Sequence, residues 1–198
     1  MDLSNEFKYH MKTLLECFEK LKNLPIAKTI IIKTDTDLTK ISFPYYMKVS
    51  LGEHKLEKKA VLRIVDIADA KNNYNILKKK FPKNPIAIQE EITGVEMIIG
   101  LKEDNVFGKL LLIGFGGTNA EVLKDVGFRA LPVSKKEILD TVSQLKLYAT
   151  LYQRKKYAVD KFVDLAYEVT KINFKELDLN PVILTEEKAV IVDARGEF

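Results

Sequence analysis

Four polar side chains near the C-terminal end of the chain have the types and spacing of a divalent-cation site: Asp178, Asn180, Asp193 and Arg195. Val182-Ile183-Leu184 and Ala189-Val190-Ile191-Val192 read as short apolar strands, and Thr185-Glu186-Glu187-Lys188 reads as the turn between them. If Leu184 faces Ala189, the register sets Asn180 opposite Asp193 and Asp178 opposite Arg195. Residues directly opposite on paired strands lie roughly 4.5–5.5 Å apart at Cβ. Asp178 and Asn180 also share a face, because strand side chains alternate. The patch then offers two carboxylates, an amide oxygen and a guanidinium. Hard cations such as Mg²⁺ take oxygen ligands of this kind and fill the rest of their shell with water and substrate phosphates. The same spacing equally describes a solvent-facing edge hairpin closed by an Asp–Arg pair.

The elements that would position these residues follow from periodicity. Phe7 to Leu24 has apolar residues at helical spacing, and Ala27–Ile32, Tyr45–Leu51, Ala60–Val65 and Ile86–Ile92 read as strands. Asp69–Phe81 reads as a helix. Val95–Leu101 and Lys109–Phe115 read as a strand pair around Glu103–Gly108, Ala120–Asp125 as a short helix or turn, and Phe128–Val133 as a further strand. Ser134 with Glu137 forms a capping box that opens a helix over Lys135–Leu147, and Asp160–Thr170 is another helix. Strands and helices mix without strict βαβ alternation, which predicts an α+β fold. The expected lobe boundary near Ile92–Gly94 divides the chain into residues 1–92, holding the N-terminal helix and the first lobe, and 93–198, holding the second lobe and the hairpin.

Composition narrows the function classes. The net charge of +4 is too balanced to imply nucleic acid, although it suits phosphate-bearing small ligands. Lys78-Lys79-Lys80-Phe81 and Arg154-Lys155-Lys156-Tyr157 are short basic runs of the kind found at solvated helix ends, not a one-sided patch with interleaved aromatics. The single Cys17 excludes an internal disulfide and points to a reducing, cytoplasmic setting. Met1–Lys20 mixes charged with apolar residues, so it does not read as a signal peptide, and no run is apolar enough to span a bilayer.

A second set of motifs lies upstream in a fixed order: Lys48, His54-Lys55, Gln89-Glu90, Gly94-Val95-Glu96, Phe107-Gly108, Gly114 to Gly117, Glu121 to Val126 and Phe128-Arg129. They precede Asp178-Leu179-Asn180-Pro181 and Val192-Asp193-Ala194-Arg195. In this order the set resembles the β subunit, or β part, of NDP-forming acyl-CoA synthetases, whose ATP-grasp domain is related to that of succinyl-CoA synthetase β. The resemblance is densest over Ile88–Val133 and from Glu176 onward, and thin before Lys48. It implies an ATP-grasp fold of two lobes with a nucleotide cleft between them.

The resemblance also implies roles. Lys48 would reach the phosphates of ATP or ADP as a point charge. Glu90, Glu91 and Ile92 would form the hinge that meets adenine, mainly through backbone groups, and Glu96 would accept hydrogen bonds from the ribose. Asn180 and Asp193 would hold Mg²⁺, with Asp178 as a further ligand or support. Arg129 would neutralise phosphoryl charge; on residue chemistry alone it could equally pair with Asp125. His54 would relay a phosphoryl group between a partner's phosphohistidine and the nucleotide, or else is a surface histidine in the Lys-rich stretch Gly52–Lys59. The CoA-binding machinery has no counterpart in the chain, so a separate CoA-binding α subunit is implied. One departure stands out. The family has glycines soon after its His-Lys pair, and here those positions read Lys58-Lys59-Ala60. That leaves a second reading, a non-catalytic ATP-grasp homologue that binds nucleotide or serves as a structural or regulatory subunit.

Overall fold

The computed structural model describes residues 12–51, 60–117, 123–153 and 155–198. Two antiparallel sheets organise them. The smaller has strand order β1-β4-β2-β3, built from β1 (Thr29–Ile31), β2 (Tyr45–Val49), β3 (Val61–Ile64) and β4 (Ile86–Glu90). The larger has order β10-β8-β5-β6-β7, with β9 also on β8. Its strands are β5 (Val95–Asp104), β6 (Gly108–Phe115), β7 (Val126–Ala130), β8 (Glu176–Leu184), β9 (Ala189–Ile191) and β10 (Arg195–Glu197).

Each sheet buries one face because its apolar residues recur with period two. In the small sheet Tyr45, Met47 and Val49 point into a core shared with Ile64, Ile86 and Ile88 and with Ala70, Tyr74 and Leu77 of helix α2 (Ile67–Lys80). Asp66 caps that helix by accepting from the Asp69 N–H at 2.8 Å. In the large sheet Met97, Ile99 and Leu101, Leu111, Ile113 and Phe115, and Leu177, Leu179, Val182 and Leu184 share a face. Helices α3 (Lys135–Ser143) and α5 (Val159–Thr170) cover it with Ile138, Val142, Phe162, Ala166 and Val169. The short helix α4 (Thr150–Gln153) contributes Leu151.

The structure revises several element expectations. The helix predicted to run from Lys135 to Leu147 ends at Ser143, with a turn leading into α4. The buried Asp125 carboxylate accepts the Lys146 and Leu147 N–H groups at 2.8 and 2.9 Å and holds that turn. Strand β8 begins at Glu176, six residues before the apolar run that announced it. Within the stretch predicted as the N-terminal helix, the described part is α1 (Leu14–Lys20), opened by a Thr13/Glu16 capping box. Its buried residues Leu14, Cys17 and Phe18, with Leu21 just beyond, join the core of the large sheet. Sequence order had grouped this helix with the first lobe; packing places it with the second.

The chain passes from the small sheet to the large one between Glu90 and Val95. Gly94 sits where backbone closes on backbone: a Cβ there would lie 2.3 Å from the Leu184 carbonyl oxygen. The connection from α1 to β1 also touches the large sheet, since the Ala27 N–H donates to Ile191 O and the Ile191 N–H to Pro25 O. No helix among the described residues is long and apolar enough to cross a membrane.

Candidate nucleotide and metal site

The C-terminal hairpin has the expected register. Leu184 pairs with Ala189 and Val182 with Ile191, while Asp178 pairs with Arg195 and Glu176 with Glu197. Strands β9 and β10 therefore run along one edge of β8 in a single register, interrupted at Val192–Ala194, and that register carries Asp193 to the level of Asn180. Asn180 is exposed and Asp193 half-buried. An Asp193 carboxylate oxygen accepts the Ala194 N–H at 2.9 Å. Arg195 donates to the Asp178 carboxylate at 2.7 Å. Asp178 thus forms the Asp–Arg pair that closes the hairpin, and Asn180 and Asp193 lie at one level beside the break. Among the described residues, no three His, Cys, Asp or Glu side chains gather as a metal-ligand set.

Lys48 reaches this break from the other sheet. It is 7% exposed, on the face of β2 opposite the core residues Met47 and Val49. Its Nζ donates to Gln89 Oε1 at 2.6 Å and to the backbone oxygen of Val192, the residue before Asp193, at 2.9 Å. Gln89, 1% exposed, in turn donates from Nε2 to Thr29 Oγ1 at 3.0 Å, and that hydroxyl donates to Ala27 O at 2.8 Å. A buried polar chain therefore crosses β1, β4 and β2 and ends at the backbone next to Asp193. Sequence reading gave Gln89 only a place in a motif; its signal was a polar residue inside the apolar run of β4. Lys48 and Val192 are 144 positions apart in the chain, beyond the reach of local pattern.

The linker residues are also held. Glu90 accepts from the Lys28 N–H at 2.8 Å through its side chain. Glu91 takes both Arg63 Nε and Nη2, at 2.7 and 2.9 Å, and this guanidinium pairing is the main cause holding its carboxyl below the usual range. Ile92 is half-buried. Glu90 and Glu91 line a depression of about 410 Å³ together with Lys28, Ser42, Phe43 and Thr93.

Glu96 is exposed on β5, on the face opposite Met97 and Ile99. Its backbone oxygen accepts the Gly116 N–H at 2.7 Å. Gly117 has φ +74, and a Cβ there would lie 2.7 Å from Glu96 Oε2. The glycine pair thus has a local reason: the chain turns in the left-handed region directly against the Glu96 carboxylate.

Arg129 does not join the group. It pairs with Leu111, which pairs with Leu101 and then Leu177, all buried under the helices. Asp178 lies in the neighbouring row, with Gly100, Leu112 and Phe128, on the other face. Arg129 is also three strands away from β8, about 14 Å at the usual spacing. Its Nη1 donates to Phe128 O at 2.9 Å, and its charge acts on Glu137. The pairing with Asp125 is not formed either, because the Asp125 carboxylate is taken by the α3–α4 turn. His54, Lys55, Lys58 and Lys59 lie outside the described residues.

Two antiparallel sheets are joined by a short linker, and a buried lysine of one crosses to the C-terminal hairpin of the other. Residues 9–197 match the ATP-grasp domain family, and the chain belongs to it. It is 31% identical to the acetate–CoA ligase (ADP-forming) II subunit beta of Pyrococcus furiosus, over 94% of this chain and 89% of that one. It is 34% identical to the acetate–CoA ligase (ADP-forming) II of Archaeoglobus fulgidus over 94% of its own length, but spans only 29% of that longer protein. Among solved structures, acetyl-coenzyme A synthetase 1 of Ca. Korarchaeum cryptofilum superposes with a TM-score of 0.80 at 27% identity, covering 94% of this chain and 93% of that one. That protein was captured with coenzyme A and Mg-AMPPCP, its phosphohistidine segment pointing towards the nucleotide-binding site.

Proposed function

We propose that this chain is the nucleotide-binding β part of an ADP-forming acyl-CoA synthetase. It would transfer a phosphoryl group from a phosphohistidine to ADP, so that acyl-CoA, ADP and phosphate give the free acid, CoA and ATP. The observation that carries this reading is the Lys48 ammonium held beside Val192 and Asp193 by a buried polar chain. A cation fixed next to oxygen ligands is what a metal–polyphosphate complex requires. The relatives that align over nearly the whole chain support the choice of reaction.

In this reading the nucleotide is MgADP or MgATP. Lys48 attracts and orients the terminal phosphates, Glu96 accepts from the ribose hydroxyls, and the backbone of Glu90–Ile92 borders the base. The donor set suits Mg²⁺, because Asn180 and Asp193 offer hard oxygens while Asp178 is held by Arg195. Bound there, Mg²⁺ would neutralise phosphate charge. His54 would carry the phosphoryl group as the family resemblance implies: the P–N bond to its imidazole breaks as a terminal ADP oxygen forms the new P–O bond, and the ring is left neutral. The phosphohistidine and the CoA site would belong to an α subunit.

Two results test this. In Asp193→Ala, calorimetry should show Mg-ADP binding weakened by about tenfold or more, the scale of a lost charged contact, with metal-free ADP affinity unchanged. An equal loss in both would remove the metal assignment. Reconstitution with the α subunit, an acyl-CoA, ADP, phosphate and Mg²⁺ should give ATP, and His54→Ala should abolish it. A fully active His54→Ala enzyme would refute the relay. The replacement of glycines by Lys58-Lys59-Ala60 favours a second reading, a nucleotide-binding homologue without turnover; its signature is no ATP formation with Mg-ADP binding intact.

A further inference from the structure

Among the described residues, one buried side-chain polar atom has no hydrogen-bond partner: the Ser50 hydroxyl. Ser50 is 3% exposed. It stands one residue past the end of β2, but the ladder continues through it, since its N–H donates to Pro85 O at 2.8 Å. Its own carbonyl accepts from Asn84 Nδ2 at 3.3 Å. Both backbone groups are therefore fixed and only the hydroxyl is left over. Buried polar atoms are almost always satisfied, so an exception calls for an explanation such as a ligand.

Register says which way the residue faces. Tyr45, Met47 and Val49 enter the small lobe's core, so Tyr46, Lys48 and Ser50 alternate onto the other face. Ser50 and Lys48 are two residues apart, about 6.6–6.8 Å along the strand. One is a cation whose ammonium already donates to Gln89 Oε1 and Val192 O and acts on an anion chiefly through its charge, the other a hydroxyl with one donor. The Lys48 ammonium leans towards Gln89 and Tyr46, away from Ser50, so the two donors share a face but are separated by more than the backbone spacing, which fits an extended anion with oxygens spread over several ångströms. A chain of two or three phosphates has that form.

We propose that the Ser50 hydroxyl donates to a phosphate oxygen of the nucleotide held by Lys48, making Ser50 a further ligand-binding residue of the cleft. The inference rests on the nucleotide reading above.

The test compares wild type with Ser50→Ala in two measurements of opposite sign. Without ligand, Ser50→Ala should melt no lower than wild type, and up to about 2–4 °C higher, because an unpaired buried hydroxyl has been removed. With ligand, the Kd for Mg-ADP and for Mg-tripolyphosphate should each weaken about tenfold, as expected for a lost hydrogen bond to a charged group, with adenosine binding unchanged. A lower melting temperature with unaltered Kd values would overturn the proposal, since it marks a hydroxyl that holds the fold. Unaltered Kd values in any combination overturn it as well. A wild-type chain that binds tripolyphosphate but not Mg-ADP would refute the nucleotide reading alone, and the tripolyphosphate comparison would still decide the role of Ser50. Binding of neither would overturn both.

Discussion

Lys48→Met is expected to weaken Mg-ADP binding about a hundredfold and to destabilise the unliganded protein by about 1–3 kcal/mol. The first figure is the upper range for losing a hydrogen bond to a charged group, roughly 3 kcal/mol. Phosphate makes this contact strong, because each partner carries full charge. The second figure comes from what the lysine leaves behind. Gln89 Oε1 and the Val192 carbonyl lose a donor, and Gln89 is buried. A buried acceptor without a partner costs about 1–3 kcal/mol. The two effects separate in a double variant. Lys48→Met with Gln89→Leu replaces both ends of the 2.6 Å bond by apolar groups, a change that is often close to neutral. It should regain the part of the stability lost at Gln89 Oε1, while Val192 O stays without its donor, and none of the affinity. If the double variant also regains Mg-ADP binding, Lys48 is a structural residue and the functional reading fails at its main support.

Gly94→Ala should be the most disruptive single methyl group in the linker, costing about 3 kcal/mol or more in urea denaturation. Its Cβ would stand 2.3 Å from Leu184 O, 2.8 Å from Ile183 Cγ2 and 3.0 Å from Leu184 C. Two of those atoms are backbone of β8, next to Val95, which pairs with Leu184. Neither can move without dragging the strand that carries Asp178 and Asn180. Overpacking of this kind typically costs 1–3 kcal/mol, more where the neighbours are rigid. Gly108→Ala is the natural contrast. Gly108 has φ +70 and open space around it, so its penalty is backbone strain alone, about 1–2 kcal/mol. If Gly94→Ala costs no more than Gly108→Ala, the linker yields easily and the close approach of β8 to Gly94 does not constrain the lobes.

What the sequence determined by itself is local. The hairpin register could be read because two apolar runs and a four-residue turn leave one pairing that buries Leu184 with Ala189, and every later pair follows from it. The pairing of Asp178 with Arg195 follows from that register. Helix starts were legible where a capping pair lies three residues apart, as in Ser134 with Glu137. Glu96 and the glycine pair were both legible as motifs, but their contact was not, because it depends on how β6 returns beside β5.

The tertiary structure alone decided the rest. Helix α1 is amphipathic in either lobe; only packing reveals that Leu14, Cys17 and Phe18 complete the large core. Arg129 stands in the same ordered motif set as Glu96 and Asn180, yet its face is set by pairing with Leu111, and that phase puts it on the helix-covered side of the sheet. Lys48 and Val192 meet because two sheets with separate cores come together there, while Gln89 meets Thr29 because β1 pairs with β4 inside the small sheet. Local periodicity specifies which face of each strand is apolar. It carries no information about which polar faces will meet, since that depends on the order of strands in the sheets and on long-range backbone contacts such as those at Gly94 and Ile191.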